Sequence, residues 1–197
     1  MVFAAGEDDV KLDAASTSRA VALLHRFQGK FADAEENEPF RQLLGRWMVK
    51  AGTDVNAQFQ FLRLAQQFQL PQGLDLARKL VASAPHAAYK AQAVMTVAQL
   101  GGPEDVAAIE KLIGDNTSLG AMGVKDGQRR ECKLGDVALA MCIVLSEQKV
   151  KDFGFEDAAE GKPLHASYVQ YSFTKEAART AARAKWADYR KAQAASN

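Results

Sequence analysis

The chain has 197 residues, 48% apolar and 25% charged, the size and mixture of one folded domain or at most two small ones. Its 36 Ala and 18 Leu stand against three Ile and six Thr, which favours helices over strands and excludes a collagenous, disulfide-rich or intrinsically disordered chain. With 25 Lys plus Arg and 24 Asp plus Glu, the net charge of +1 gives no global drive toward nucleic acid or anionic lipid.

Residues 1–12 are polar and acidic and are expected to form a flexible N-terminus. The opening Met1-Val2-Phe3-Ala4-Ala5-Gly6 has neither a basic n-region nor an apolar core, so it is not an intact signal peptide. Val2-Phe3-Ala4 does resemble the small-residue end of a cleavage site. No apolar run reaches ~18 residues, so no transmembrane helix is predicted. Residues 13–53 read as N-terminal helices. Ala20, Leu23, Leu24, Phe27 and Phe31 share one helical face, with Ser16, Thr17 and Ser18 as candidate caps. Residues 33–38 read as a connection, and Pro39 suits the first turn of the next helix, whose stripe is Phe40, Leu43, Leu44 and Trp47.

Gly52-Thr53-Asp54 is a stop followed by a cap. The next predicted helix runs from Val55 to about Phe68 with Phe59, Leu62, Ala65 and Phe68 inward, and Leu70-Pro71 ends it. A helix from Gln72 to Ala82 places Leu74, Ala77, Leu80 and Val81 inward. After Ala84-Pro85, a helix from about His86 to Leu100 carries Ala91, Val94, Met95 and Ala98. Gly101-Gly102-Pro103 closes it, glycine past the stop and proline at the new start. Glu104 to Ile113 is the following helix, with Val106, Ile109, Leu112 and Ile113 inward. Asp126-Gly127 is a two-residue hairpin turn, so a short β-hairpin is predicted near 120–131. Residues 153–173 are aromatic and helix-poor. The last helix runs from Thr174 to about Ala194, with Ala178, Ala182, Trp186 and Tyr189 along one stripe.

Overlaying the segments reveals an internal repeat. Pro71 aligns with Pro103 at an offset of 32, and the same offset pairs Leu74 with Val106, Ala77 with Ile109, Leu80 with Leu112, Ala65 with Val97 and Phe68 with Leu100. Ala93 and Leu100 match Ala138 and Leu145 at an offset of 45, the excess being an insertion around 117–130. Helix, Gly/Pro break, helix, repeated every few tens of residues, is the pattern of an α-solenoid. The stretch from Tyr89 to Val94, through Leu100-Gly101-Gly102-Pro103-Glu104-Asp105-Val106, to Ile109, Leu112, Ile113 and Asp115 resembles a HEAT repeat of the armadillo type. It departs from the family in having Lys90 where Arg is commoner, and in the insertion before Leu134. The resemblance covers residues 54–148. It implies an all-α fold, a right-handed superhelix of stacked antiparallel helix pairs, with repeats over 54–152 and an extended segment with a capping helix over 153–197. It implies a non-catalytic scaffold that binds another protein.

Candidate contact residues lie in two places. Lys125, Arg129 and Arg130 belong to the hairpin, where they face an acidic partner or serve only to cover a helix-pair edge. Arg179 and Arg183, which share a second face of the last helix with Arg190, are either solvated or hold an anionic partner. The alternative from another class is a HEAT-like DNA-repair glycosylase gripping the duplex backbone. It requires a dense basic groove, which a near-neutral chain does not suggest.

No catalytic residue, metal site or cofactor is expected. His25, His86 and His165 lack metal-ligand spacing, and none is followed by Glu, so the His-Glu pairs of the iron-binding HEAT hydroxylases are missing. Cys142, among Ala140, Met141, Ile143 and Val144, reads as a packing residue. Cys132, beside Arg130 and Lys133, is the one place where a thiolate would be favoured. On one helix the two thiols would be separated by about 15 Å of rise, beyond disulfide reach. Reduced thiols fit a cytoplasmic protein; the alternative is export, with Met1 replacing a removed leader.

Overall fold

The computed structural model describes residues 38–50, 55–125, 127–164 and 167–196, with backbone alone at 40, 47–50, 121–125, 128 and 196. The predicted helix over 20–31 and the stop and cap at 52–54 lie outside the described residues. Among these residues seven α-helices pack antiparallel, with a small two-stranded hairpin before the sixth: α1 (Glu38–Lys50), α2 (Val55–Phe68), α3 (Gly73–Ser83), α4 (Ala87–Leu100), α5 (Val106–Glu110), β1 (Ser118–Lys125), β2 (Gln128–Lys133), α6 (Leu134–Leu145) and α7 (Glu176–Ser196).

The punctuation of the sequence sets the helix ends. Pro39 sits in the first turn of α1, where its missing N–H costs nothing. Past α2 the chain reverses through Gln69 at φ 51, and the Leu70 N–H donates to Ala65 O at 2.9 Å, ahead of Pro71. Past α6 the same left-handed turn falls on Glu147 at φ 56, with the Gln148 N–H on Ile143 O at 3.0 Å.

α2, α4 and α6 lie side by side in that order; α3 packs on both α2 and α4, and α5 and α7 pack on α6. One apolar cluster runs from Leu62 to Trp186. The two central helices are enclosed on every side, α4 from Ala91 to Gln99 and α6 from Leu134 to Ile143, which is why their apolar residues form no narrow stripe. Polar groups caught in this layer find partners. Gln92 Nε2 donates to Gln66 Oε1 at 2.6 Å, and Thr96 Oγ1 donates to Gln92 O at 2.8 Å.

Three expectations are corrected. In α2 the buried face is Phe61, Leu62, Leu64, Ala65 and Phe68, while Phe59 is half-buried and stacks on Tyr89 with ring centroids 4.7 Å apart. The helix predicted over 104–113 is a 3-10 turn (Pro103–Asp105) leading into the five residues of α5, after which the chain passes into turns toward the hairpin. The concave surface through which a HEAT-like scaffold is expected to bind is not open along α4 and α6 among the described residues, because the chain itself covers them. Turns at Val150–Phe153 and Tyr168–Tyr171 pack on α6, the first also on α7 and the second also on α4 and β2. The Leu164 N–H donates to Gln99 Oε1 at 2.7 Å. Phe155, Ala158, Leu164, Tyr171 and Phe173 are buried in this covering segment, at about 1.5–3 kcal/mol for each large apolar side chain removed from water.

Candidate functional site

Lys125 pairs with Gln128 where the sequence predicts a two-residue turn, and Gly127 stands at φ +73, a conformation glycine takes without strain. Pairing extends from Ser118–Lys133 to the turn and slips twice on the way, so the hairpin is longer than 120–131 and carries bulges. Its base is part of the core. Cys132 is fully buried, the Leu134 N–H donates to Thr117 O at 3.0 Å, and Glu131 and Phe173 exchange two backbone hydrogen bonds of 3.2 Å each.

The anchor of that base is an ion pair. Asp136, third residue of α6, is completely buried and accepts the Lys133 N–H at 2.9 Å. Arg179 on α7, 3% exposed, grips the same carboxylate from the other side, Nε to Oδ1 at 2.7 Å and Nη2 to Oδ2 at 3.1 Å. Its Nη2 also donates to Glu131 O at 3.2 Å, and its Nη1 binds Glu176. One guanidinium therefore ties α6, β2 and α7 together. Burial pushes the Asp136 carboxyl above its usual range, against the Arg179 and Lys133 hydrogen bonds that favour its charge. Burial also opposes the Arg179 charge, and the Asp136 and Glu176 carboxylates outweigh it, so the guanidinium is held above its ordinary value. A similar fork stands at the start of α5, nearer the surface. Asp105 accepts the Gly102 N–H at 3.3 Å, and Arg78 of α3 forks onto it at 2.7 and 2.9 Å.

The five predicted contact residues separate. Arg179 is corrected from a surface cation to a core residue. The buried position of α7 is Arg179, not Ala178, because the Asp136 carboxylate needs a counter-charge; the buried stripe then continues through Ala182 and Trp186. Arg130 is half-buried and engaged, pairing with Asp157 at 3.0 Å and donating to Ser172 O at 3.4 Å. Arg183 lies against Asn116, Nη2 to Oδ1 at 3.3 Å. Lys125 ends β1, and its side chain is outside the described residues. Arg129 alone of the five is exposed with a guanidinium that meets no partner among the described residues.

Arg129 borders a groove of about 380 Å³ between the hairpin base and the start of α7, lined also by Ser118, Glu131, Phe173, Thr174, Lys175 and Glu176. Lys175 is exposed there and, like Arg129, unpaired among the described residues. Glu176 is neutralised, since Lys133 at 3.2 Å and Arg179 hold its carboxyl below the usual range. The groove thus offers two uncommitted cations against one uncommitted carboxylate, Glu131. Lys175 carries no signal in the sequence, because only the long-range Glu131–Phe173 bridge brings it to the hairpin. A larger groove of about 550 Å³ lies past the ends of α4 and α6, but its polar groups serve the fold. There Lys162 Nζ covers Gly101 O at 3.4 Å, and Glu160 accepts the Val150 and Lys151 N–H groups at 3.2 and 3.0 Å.

The expectation that basic neighbours favour a Cys132 thiolate is overturned. Burial pushes that thiol up to about 12, with the Asp136 charge adding to the effect, and its Sγ lies 3.5 Å from Tyr168 O as a donor. Cys142 is raised to about 12 by burial as well. Among the described residues no three His, Cys, Asp or Glu side chains gather where a metal ion could be held, and no helix is long and apolar enough to cross a membrane. A comparison of the chain with protein-family models, curated proteins and solved structures finds no match.

Proposed function

We propose that this protein is a non-catalytic binding scaffold that engages a protein partner through the hairpin and the groove at its base. The observation that carries the reading is the division of labour among neighbouring arginines. Arg130 and Arg179 are spent on holding the hairpin to the core, while Arg129 stands exposed and uncommitted on the strand they immobilise. A cation on a rigid support loses little freedom on binding. The order α2, α4, α6 with α3 bridging the first two supports a HEAT-like stack of helix pairs, and a right-handed superhelix is the corresponding reading of the whole. Because the turns at Val150–Phe153 and Tyr168–Tyr171 cover α4 and α6, the contact surface in this reading is the inserted hairpin. The engagement of Arg130 and Arg179 within the protein weighs against the DNA-backbone alternative, which needs such cations facing outward.

The test is site-specific photo-crosslinking in cells. A photoreactive residue at position 129 is expected to trap one discrete protein that the same residue at Lys79, exposed on α3, does not trap. Identical products from the two positions would remove the proposal.

A further inference from the structure

We infer that the outer edge of β2 at Arg129 is a strand-addition site for an extended, acidic segment of a partner protein; this inference rests on the protein-binding reading above. In an antiparallel hairpin closed by a two-residue turn, the pair flanking the turn, Lys125 and Gln128, exchanges hydrogen bonds, and at the next pair, Val124 and Arg129, the backbone groups point away from the partner strand. The structure shows the consequence two residues on. Glu131 directs its N–H and C=O outward and gives both to Phe173. A third outward position, Lys133, has its N–H on Asp136. Among the described residues, Arg129 is thus the open one of the three outward-facing positions of β2. The chain that pairs at Phe173 does not continue along β2 to meet it, because Thr174 and Lys175 turn away into α7. The one-residue bridge opens at this point into the groove between Arg129 and Lys175.

An exposed strand edge is a template for another chain, and main-chain hydrogen bonds supply the affinity in this mode of recognition. The charge around the edge sets the preference. Arg129 and Lys175 flank it uncommitted, and Glu131 has its own backbone already paired with Phe173. A glutamate or aspartate on an added strand lies within reach of both cations, whereas a lysine there adds a third positive charge.

The probe is a capped peptide of about eight residues alternating glutamate and valine, titrated into the full chain while the backbone amide resonances are followed by NMR. The amides of Arg129, Glu131 and Lys175 are expected to shift together. Arg129→Ala should weaken binding about two- to five-fold, the range of an exposed ion pair. A peptide with lysine in place of glutamate should leave these resonances unmoved, and one N-methylated at alternate amides should bind at least tenfold more weakly. Equal binding by the N-methylated peptide would overturn strand addition in favour of charge attraction alone. So would shifts confined to another surface. If crosslinking from position 129 traps a partner while the acidic peptide leaves these amides unmoved, strand addition fails and the protein-binding reading stands; if neither occurs, both fall.

Discussion

Removing the Arg179 guanidinium is the perturbation whose outcome the structure constrains most tightly. In Arg179→Ala, the Asp136 carboxylate keeps only the Lys133 N–H, at 2.9 Å, in a site with no exposure to solvent. Breaking a buried pair by deleting one partner costs about 3–5 kcal/mol, a large share of the roughly 5–15 kcal/mol that stabilises a typical domain. The hydrogen bonds to Glu131 O and Glu176 go with it, so the hairpin base loosens as the helices do. The pH dependence follows. Without its counter-charge, Asp136 has a folded-state pKa raised further above the unfolded value near 3.8. A raised pKa contributes stability below the unfolded pKa that is lost as pH rises through the folded one. The variant should therefore be most impaired near neutrality and recover part of its deficit as pH falls toward 4. Urea unfolding of both proteins between pH 7 and pH 5 measures this, and Asp136→Leu with Arg179→Met, which removes both charges, should recover most of the loss. A cost for Arg179→Ala below about 1 kcal/mol, typical of a solvated surface arginine, would refute the reasoning.

Other predictions concern stability and the thiols. A Cβ at Gly135 would meet Ile113 O at 2.4 Å and Asp115 O at 2.8 Å, both backbone atoms with little room to retreat, so Gly135→Ala should cost about 1–3 kcal/mol in chemical denaturation. Glu147, at φ 56, occupies the left-handed turn after α6 that glycine prefers, and Glu147→Gly should stabilise by up to ~1 kcal/mol; a loss would show that its side chain does more than close the helix. Both thiols, held at about 12 against an ordinary 9.0, should resist Ellman's reagent at pH 8 until the protein is unfolded. Because their folded values are raised, stability should fall as pH climbs from 9 toward 12, an effect smaller in the double alanine variant, where Tyr171, pushed up to about 12 by burial, still contributes.

Much of the fold was legible in the sequence for identifiable reasons. Leu70-Pro71, Ala84-Pro85 and Gly101-Gly102-Pro103 mark breaks by local stereochemistry, and Asp126-Gly127 marks a turn. The ends of α2 and α4 and the turn of the hairpin therefore fall where expected. Periodicity was weaker guidance wherever burial is not one-sided. α2 buries a face wider than one stripe, which is how Phe61 and Leu64 escaped notice. α5 stops early although Leu112 and Ile113 keep the helical spacing, because the chain must turn there to enter the hairpin. The main error at the candidate site was Arg179, 43 residues from its partner, beyond the reach of any local pattern. A signal was present nonetheless. Asp136 interrupts the otherwise apolar run from Leu134 to Leu145, and a carboxylate in a helix enclosed on all sides requires a cation. Asp105 and Arg78 make a similar fork nearer the surface, at the start of α5.

The central claim is that neighbouring arginines of the hairpin divide between fold and partner. It is tested most directly by measuring the thermal midpoint and partner crosslinking for Arg129→Glu and Arg130→Glu side by side, with the photoreactive residue moved to Ser118 on the same groove. Arg129→Glu is expected to leave the midpoint unchanged and weaken the crosslink, whereas Arg130→Glu, set against Asp157, lowers the midpoint. An Arg129→Glu protein that melts early, or one that still captures its partner in full, would contradict the claim.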